Sequence, residues 1–449
     1  MIAHSLMLTK FSRSSSMFKL MAGTVLAFAC SVSHAALQIQ SWSLDNGARV
    51  LFVQSNGIPM LDLSVDFDAG ARRDPAGKVG TAAMTNAMLS RGVAASTTAP
   101  ALNEAQISDA FADLAVQRGN RIDNDRGGLT LRTLTTERQA AIAMLTRLLA
   151  QPSFPAELLA RDKVRTIAGL KENLTKPEVI ADRAFSTALY GTHPYGAQLT
   201  EASVNAITRD DLVSFYKQHY VANRAVITMI GDISRSDADS IARELTAQLP
   251  QGAPLPALPA VVTGKGGEQR IAHTSSQAHI LIGMPALQRP DADFFPLMVG
   301  NYVLGGGGFV SRLMNEVREK RGLTYGVSSY FEPMAQPGPF QIGLQTKAEQ
   351  ADQALKIVRE TVDGFLKQGP TAAELKAAKD NLIGGFALRI DSNKKLLENV
   401  AMIGFYGLPL DYLDTWTANI EKVTAAQIRD AFNRKLQTEH FSTIIVGAR

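Results

Sequence analysis

Residues 206–233, AITRDDLVSFYKQHYVANRAVITMIGDI, and residues 422–449, KVTAAQIRDAFNRKLQTEHFSTIIVGAR, read as one segment written twice. In each, a threonine (Thr208, Thr424) opens a helical period, a basic and aromatic stretch follows, and a β-branched apolar run closes on glycine. Ile207 and Val423, Tyr190 and Tyr406, and Gly231 and Gly447 are each 216 positions apart. Three anchors at a single offset mark an internal duplication, so the chain consists of two weak repeats of one domain.

Between the repeats runs LPQGAPLPALPAVVTGKGG, residues 249–267, where prolines stiffen the chain and a glycine cluster loosens its end. This predicts domains at 36–248 and 268–449 joined by a linker. In the first repeat, IQSWSLDNGARVLFVQSN alternates apolar and polar residues about Asn46-Gly47, a hairpin signal, and MLDLSVDFDAG supplies a third strand. Helical patterns cover 81–90, 103–116, 137–149 and 156–173, with a strand at 127–136. The second repeat follows the same order, with strands expected at 271–285, 323–334 and 338–347 and helices at 294–304 and 310–320. The predicted fold class is α+β: two similar α/β-sandwich domains, each a mixed sheet with helices packed on one face.

The first residues carry Lys10, Arg13 and Lys19, no acidic residue through Ala35, the apolar run LMAGTVLAFAC, and Ser33-His34-Ala35. That pattern predicts a secretory signal peptide over residues 1–35, too short in its apolar part to span a membrane. Cys30 is the only cysteine of the 449 residues, so the mature chain is expected to hold no disulfide and no thiol nucleophile. The net charge of +4 includes the three basic residues of the leader. What remains is close to neutral and gives no argument for nucleic acid or an anionic membrane as partner. The expected location is outside the inner membrane, in a periplasm.

Gly80 to Gly92, GTAAMTNAMLSRG, is the segment where chemistry is expected. It resembles the zinc helix of pitrilysin/insulinase-type metallopeptidases, in which the inverted motif H-x-x-E-H is preceded by glycine and followed by Met-Leu, a basic residue and glycine. There, two histidines one turn apart bind zinc and the glutamate is the general base. Here Gly80, Met88-Leu89, Arg91 and Gly92 keep the frame, while Ala83 and Ala87 stand at the histidine places and Asn86 at the base. A methyl group has no lone pair, and a neutral amide does not take a proton from water near pH 7. The later helix RDKVRTIAGLKENLTKP aligns Asp162 with the first of two family glutamates and Gly169 with the zinc-binding second; a slip of one or three would reach Ala168 or Glu172. No zinc site is therefore expected in this chain. The five histidines after the leader are His193, His219, His273, His279 and His440. His273 and His279, on one predicted strand, should lie about 20 Å apart at ~3.3 Å per residue, and no G-x-S-x-G turn supports serine catalysis.

The second half retains the other family signature, LGGGGFVSRLMNEVREKRGLTYGVSSY, with Gly305, Gly306, Gly307 and Gly308 followed by Arg318 on a helix and Tyr325 at the next strand. No Gly-Lys-Ser/Thr follows the glycines, which argues against a phosphate loop. The resemblance extends from about Leu37 to Arg449. It implies a clam-shell of two domains in which Arg318 and Tyr325 hold a peptide backbone beside the scissile bond. Loss of one signature and retention of the other implies the non-catalytic, substrate-binding subunit of an exported heteromeric peptidase, with zinc in a homologous partner subunit. The alternative is a peptide-binding or assembly protein with no proteolytic partner.

Overall fold

The computed structural model describes residues 37–447; the predicted leader lies outside them. The strands are β1 (Gln40–Ser43), β2 (Arg49–Gln54), β3 (Met60–Phe67), β4 (Gly92–Val93), β5 (Leu102–Asn103), β6 (Gln117–Ile122), β7 (Gly127–Leu134), β8 (Val226–Gly231), β9 (Gly267–Ile271), β10 (Gln277–Leu287), β11 (Val327–Phe331), β12 (Gly338–Lys347) and β13 (Ser442–Val446). One sheet runs β1-β2-β8-β3-β7-β6 and another β11-β12-β10-β13-β9, while β4 and β5 form a small ladder of their own. Both large sheets are mixed: β2 pairs β8 and β9 pairs β13 in parallel, and the other neighbours are antiparallel.

The helices are α1 (Thr81–Met88), α2 (Glu104–Asp113), α3 (Arg138–Ala150), α4 (Ala156–Asn173), α5 (Pro177–Tyr190), α6 (Glu201–Ala206), α7 (Arg209–His219), α8 (Arg235–Thr246), α9 (Phe294–Asn301), α10 (Ala351–Gln368), α11 (Ala372–Gly384), α12 (Asn393–Tyr406), α13 (Trp416–Lys422) and α14 (Ala425–Lys435). The 216-residue offset read from the sequence recurs in three dimensions. It carries α5 onto α12, α7 onto α14 and the start of β8 onto the start of β13. Thr208 and Thr424 begin α7 and α14 by the same device, a hydroxyl accepting from the backbone N–H three residues on while the third residue's side chain reaches back. An α+β architecture of two repeated sheet-and-helix halves is what the structure shows.

One face of the first sheet packs Phe52, Leu61, Leu63, Val65 and Phe67 under the helices of its own half. Its other face, through Leu51, Val53, Val226 and Ile230, is covered by Leu396, Leu397, Val400 and Ile403 of α12, a helix from the second half. Reciprocally, Ala181, Phe185 and Leu189 of α5 pack on Leu281, Ile444 and Val446 of the second sheet. Each such buried aliphatic or aromatic side chain contributes about 1.5–3 kcal/mol. The helix exchange adds a second covered face to each expected sandwich, and the chain from Leu37 onward is one compact body. No helix among the described residues is long and apolar enough to cross a membrane.

Three sequence expectations are revised. Residues 271–285 are two strands, β9 ending at Ile271 and β10 beginning at Gln277, with His273 in the turn between. The strand expected at 323–334 is confined to Val327–Phe331, so Tyr325 lies in the loop before β11. The edge strand β6, QRGNRI, was not anticipated because an edge with one wet side carries no apolar alternation.

Candidate functional site

α1 starts at Gly80, whose φ of +107° is left-handed and readily available to glycine. The Asp74 carboxylate caps it, accepting from Gly80 N at 2.7 Å and Ala82 N at 2.6 Å. Burial pushes the Asp74 carboxyl up to about 6 against the pull of those two amides. Facing α1 is α4, and between them opens a pocket of about 300 Å³ lined chiefly by apolar groups, including Ala83, Ala87, Met84, Met88 and Leu159. The two positions expected to carry zinc ligands thus face this pocket, and they present methyl groups to it.

Asn86 does not face it. Its side chain is fully buried and donates to the Gly128 carbonyl at 2.9 Å and the Tyr220 hydroxyl at 3.1 Å, so the residue expected at the general-base place is a core anchor. Asp162 lines the pocket but is held by Arg91 Nε at 3.0 Å and Arg161 Nε at 3.2 Å, and Glu104 bridges the same two arginines. Gly169, two turns further along α4, is outside the lining, and a side chain built there would meet nothing within 4 Å. Ala168 and Glu172 are exposed on the same helix and outside the lining too. This donor set does not fit zinc: the only carboxylate in the lining is neutralised by guanidinium groups, and Arg91 and Arg165 beside it repel a cation. Among the described residues no group of three or more His, Cys, Asp or Glu side chains converges to hold a metal.

In the second half α9 runs on into a π-helical turn, Tyr302–Gly306, followed by a short 3-10 turn, Gly308–Val310. Gly305 is buried, and a Cβ there would stand 2.7 Å from Ser329 N and 2.8 Å from Leu313 Cδ1. It is a packing residue, which corrects its expected place among the contacts for a bound chain. Gly306 and Gly308 are exposed, Gly307 is half-buried, and Phe309 and Val310 at the tip are 68% and 72% exposed. Arg318 lies in the wide helical turn Met314–Glu319, its guanidinium 4.7 Å from the Phe309 ring centroid and 3.3 Å from Glu319. Tyr325 is 88% exposed and lines a groove of about 400 Å³ with Glu178, Asp182, His279, Tyr330 and Gln341; Arg318 is not in that lining. The two residues expected to act together are both at the surface but do not share a pocket.

Of the five histidines, His273 Nε2 meets the Thr175 carbonyl at 3.0 Å and His440 Nδ1 the Gly264 carbonyl at 2.7 Å. His193 accepts from Tyr195 N through Nδ1 and meets the Pro259 carbonyl at 3.0 Å, fastening the proline-rich segment. His219 donates from Nδ1 to the Asp68 carbonyl at 2.9 Å, and burial pulls it down to about 4. Burial depresses His279 in β10, and His273, in the turn before that strand, does not share it as expected. A residue that sequence reasoning missed is Asp125. Only 1% exposed, it accepts from Arg72 Nη1 (2.7 Å), Tyr195 (2.6 Å), Tyr406 (2.8 Å) and Ala335 N (2.8 Å), joining both halves. Its only sequence signal is an Asn-Asp-Arg turn before the double glycine of β7.

The fold matches that of known proteins. A crystal structure described as peptidase M16 inactive domain, from Pseudomonas fluorescens, superposes with a TM-score of 0.87 at 37% identity, covering 92% of this chain and 98% of that one. This chain belongs to the M16 peptidase family. The family model "Peptidase M16 inactive domain" matches residues 206–382, a span that includes the glycine run, Arg318 and Tyr325. A Helicobacter pylori protein named as a non-peptidase homolog is 27% identical over 347 residues, 75% of this chain and 79% of that protein. An uncharacterized zinc protease of Streptomyces coelicolor is 30% identical over 257 residues, and the chain spans only 55% of its length. The match to the inactive-domain model and to relatives described as inactive or non-peptidase makes this a non-catalytic M16 homologue.

Proposed function

We propose that this chain is the substrate-binding subunit of an exported, heteromeric zinc metallopeptidase, in which an M16 partner supplies zinc, water and base. The observation that carries this reading is an asymmetry between the halves. The first half offers an ion-paired, methyl-lined pocket where the family binds metal. The second keeps Arg318, Tyr325, Gly306 and Gly308 together with Phe309 and Val310 at the surface. An arginine fork and a phenol are donors suited to peptide carbonyls, and the exposed Phe309 and Val310 suit apolar side chains of an unfolded chain. Because Arg318 stacks on Phe309 and Tyr325 lines a separate groove, the reading places them at two points along an extended peptide.

The test is a peptide-cleavage assay with a zinc-bearing M16 homologue from the same cell, measured alone, with this chain, and with its Arg318→Ala form. Stimulation of at least tenfold by the native chain, lost with Arg318→Ala, is the expected result. Equal cleavage with and without this chain sinks the heteromeric reading. Peptide binding by the isolated chain in that event would favour a peptide-binding protein without a proteolytic partner.

A further inference from the structure

A second cavity, of about 550 Å³, lies where the two halves meet. Arg49, Arg72 and Arg224 reach it from the first half and Arg289 from the second, with Asp68 as the one carboxylate in its lining. Asp68 is already shared between Arg72 at 3.0 Å and Arg73 at 2.5 Å, and Arg72 also pairs with Asp125. Arg49, Arg224 and Arg289 form no ion pair among the described residues. Arg49 donates to the Gly404 carbonyl and Arg224 to the carbonyls of Ala253 and Gln218, while Arg289 lies 5.1 Å from the Phe294 ring and 5.8 Å from that of Tyr406. Carbonyls and ring faces orient a guanidinium but cancel no charge.

Burial draws Arg49 and Arg224 below the ordinary guanidinium value, and the charge of Asp68 offsets this only in part for Arg224.

Planar guanidinium forks match phosphate oxygens bidentately, and a phosphate ester brings about −1.5 to −2 charges at neutral pH, enough to balance more than one arginine. We infer that this cavity binds a multivalent phosphoryl anion, inorganic pyrophosphate or a phosphate ester, and that the anion fastens the two halves together. Phe405 and Tyr406 in the same lining provide ring surfaces for the organic part of an ester. This site is separate from the peptide-binding reading and stands without it.

The test is calorimetric titration of the purified protein with pyrophosphate and, separately, with adenosine diphosphate, at constant ionic strength. Saturable binding that weakens at least tenfold in Arg289→Gln is the expected result. That side chain makes no hydrogen bond to the backbone, so the fold should survive, and Arg49→Gln serves as a second variant. Tighter binding of the nucleotide assigns an ester packed on the aromatic pair, and equal binding assigns the inorganic anion. No saturable heat with either ligand, or affinity unchanged in both variants, overturns the inference.

Discussion

Asn86, expected from the resemblance at the place of the general base, faces inward and anchors α1 to β7 and to Tyr220 after α7 through the Gly128 carbonyl and the Tyr220 hydroxyl. Asn86→Ala should cost about 1–3 kcal/mol in chemical denaturation, because a buried carbonyl and phenol lose their donor. His219 makes a pH prediction. Its folded value of about 4 lies below the ordinary 6.5, so the unfolded chain takes up the proton first. The stability it contributes is complete above about pH 6.5 and is lost as pH falls toward 4, amounting to about 3 kcal/mol. Melting curves across that window should show the loss, and His219→Gln should flatten it. That Ala83 and Ala87 cannot ligate a metal was legible in the sequence, since a methyl has no lone pair whatever the fold. The inward turn of Asn86 was not, because nothing in thirteen residues shows that Gly128 and Tyr220 come to meet it.

At the scale of elements, strands with an apolar face and helices opened by Thr or Asn were readable, and Thr208 and Thr424 begin helices as their pattern predicts. β6 was missed because its edge position removes the alternation, and the helix expected to end at 304 runs on through Gly305 and Gly306. The turn that carries Arg318 is tied to α11 by Arg312, whose guanidinium donates to both Glu374 carboxylate oxygens at 2.7 Å. Glu374 also accepts from Thr371 N at the α11 cap, and these bonds hold its carboxyl at about 2. Its contribution is therefore present above about pH 4.5 and fades as pH falls toward 2. Glu374→Gln should lower stability by about 1–2 kcal/mol at pH 7, discounted for partial exposure, with the difference from native vanishing near pH 2. α12 permits a larger effect: Ile403→Ala, at a fully buried position against the first sheet, should cost about 2–5 kcal/mol in urea unfolding.

Across the whole molecule the duplication was the most legible feature, since a single offset of 216 needs no structural knowledge. The exchange of α5 and α12 was not legible, because an amphipathic helix does not record which of two similar sheets it will cover. The two helices end in Tyr190 and Tyr406, and both tyrosines reach across: Tyr406 to Asp125, and Tyr190 to the Pro337 carbonyl at 3.3 Å. Asp125 gathers the junction, so Asp125→Ala should cost about 3–5 kcal/mol by leaving Arg72 with Asp68 alone and two phenols without their acceptor. It should also raise the radius of gyration in solution scattering as the halves loosen, whereas Tyr406→Phe, which removes one bond, should leave the radius unchanged.

The exchange also sets an order of events during synthesis. The first sheet is complete when Gly231 has been made, yet the helix that covers its second face ends only at Tyr406. At roughly 5–20 residues per second, the intervening chain takes about ten seconds or longer to appear. Through that interval Leu51, Val53, Val226 and Ile230 form an uncovered apolar plane, and an isolated first half would keep it permanently. A nascent chain of this kind must be shielded until its C-terminal third arrives, and splitting the gene at the proline-rich segment should yield two fragments that aggregate apart and recover only when they fold together.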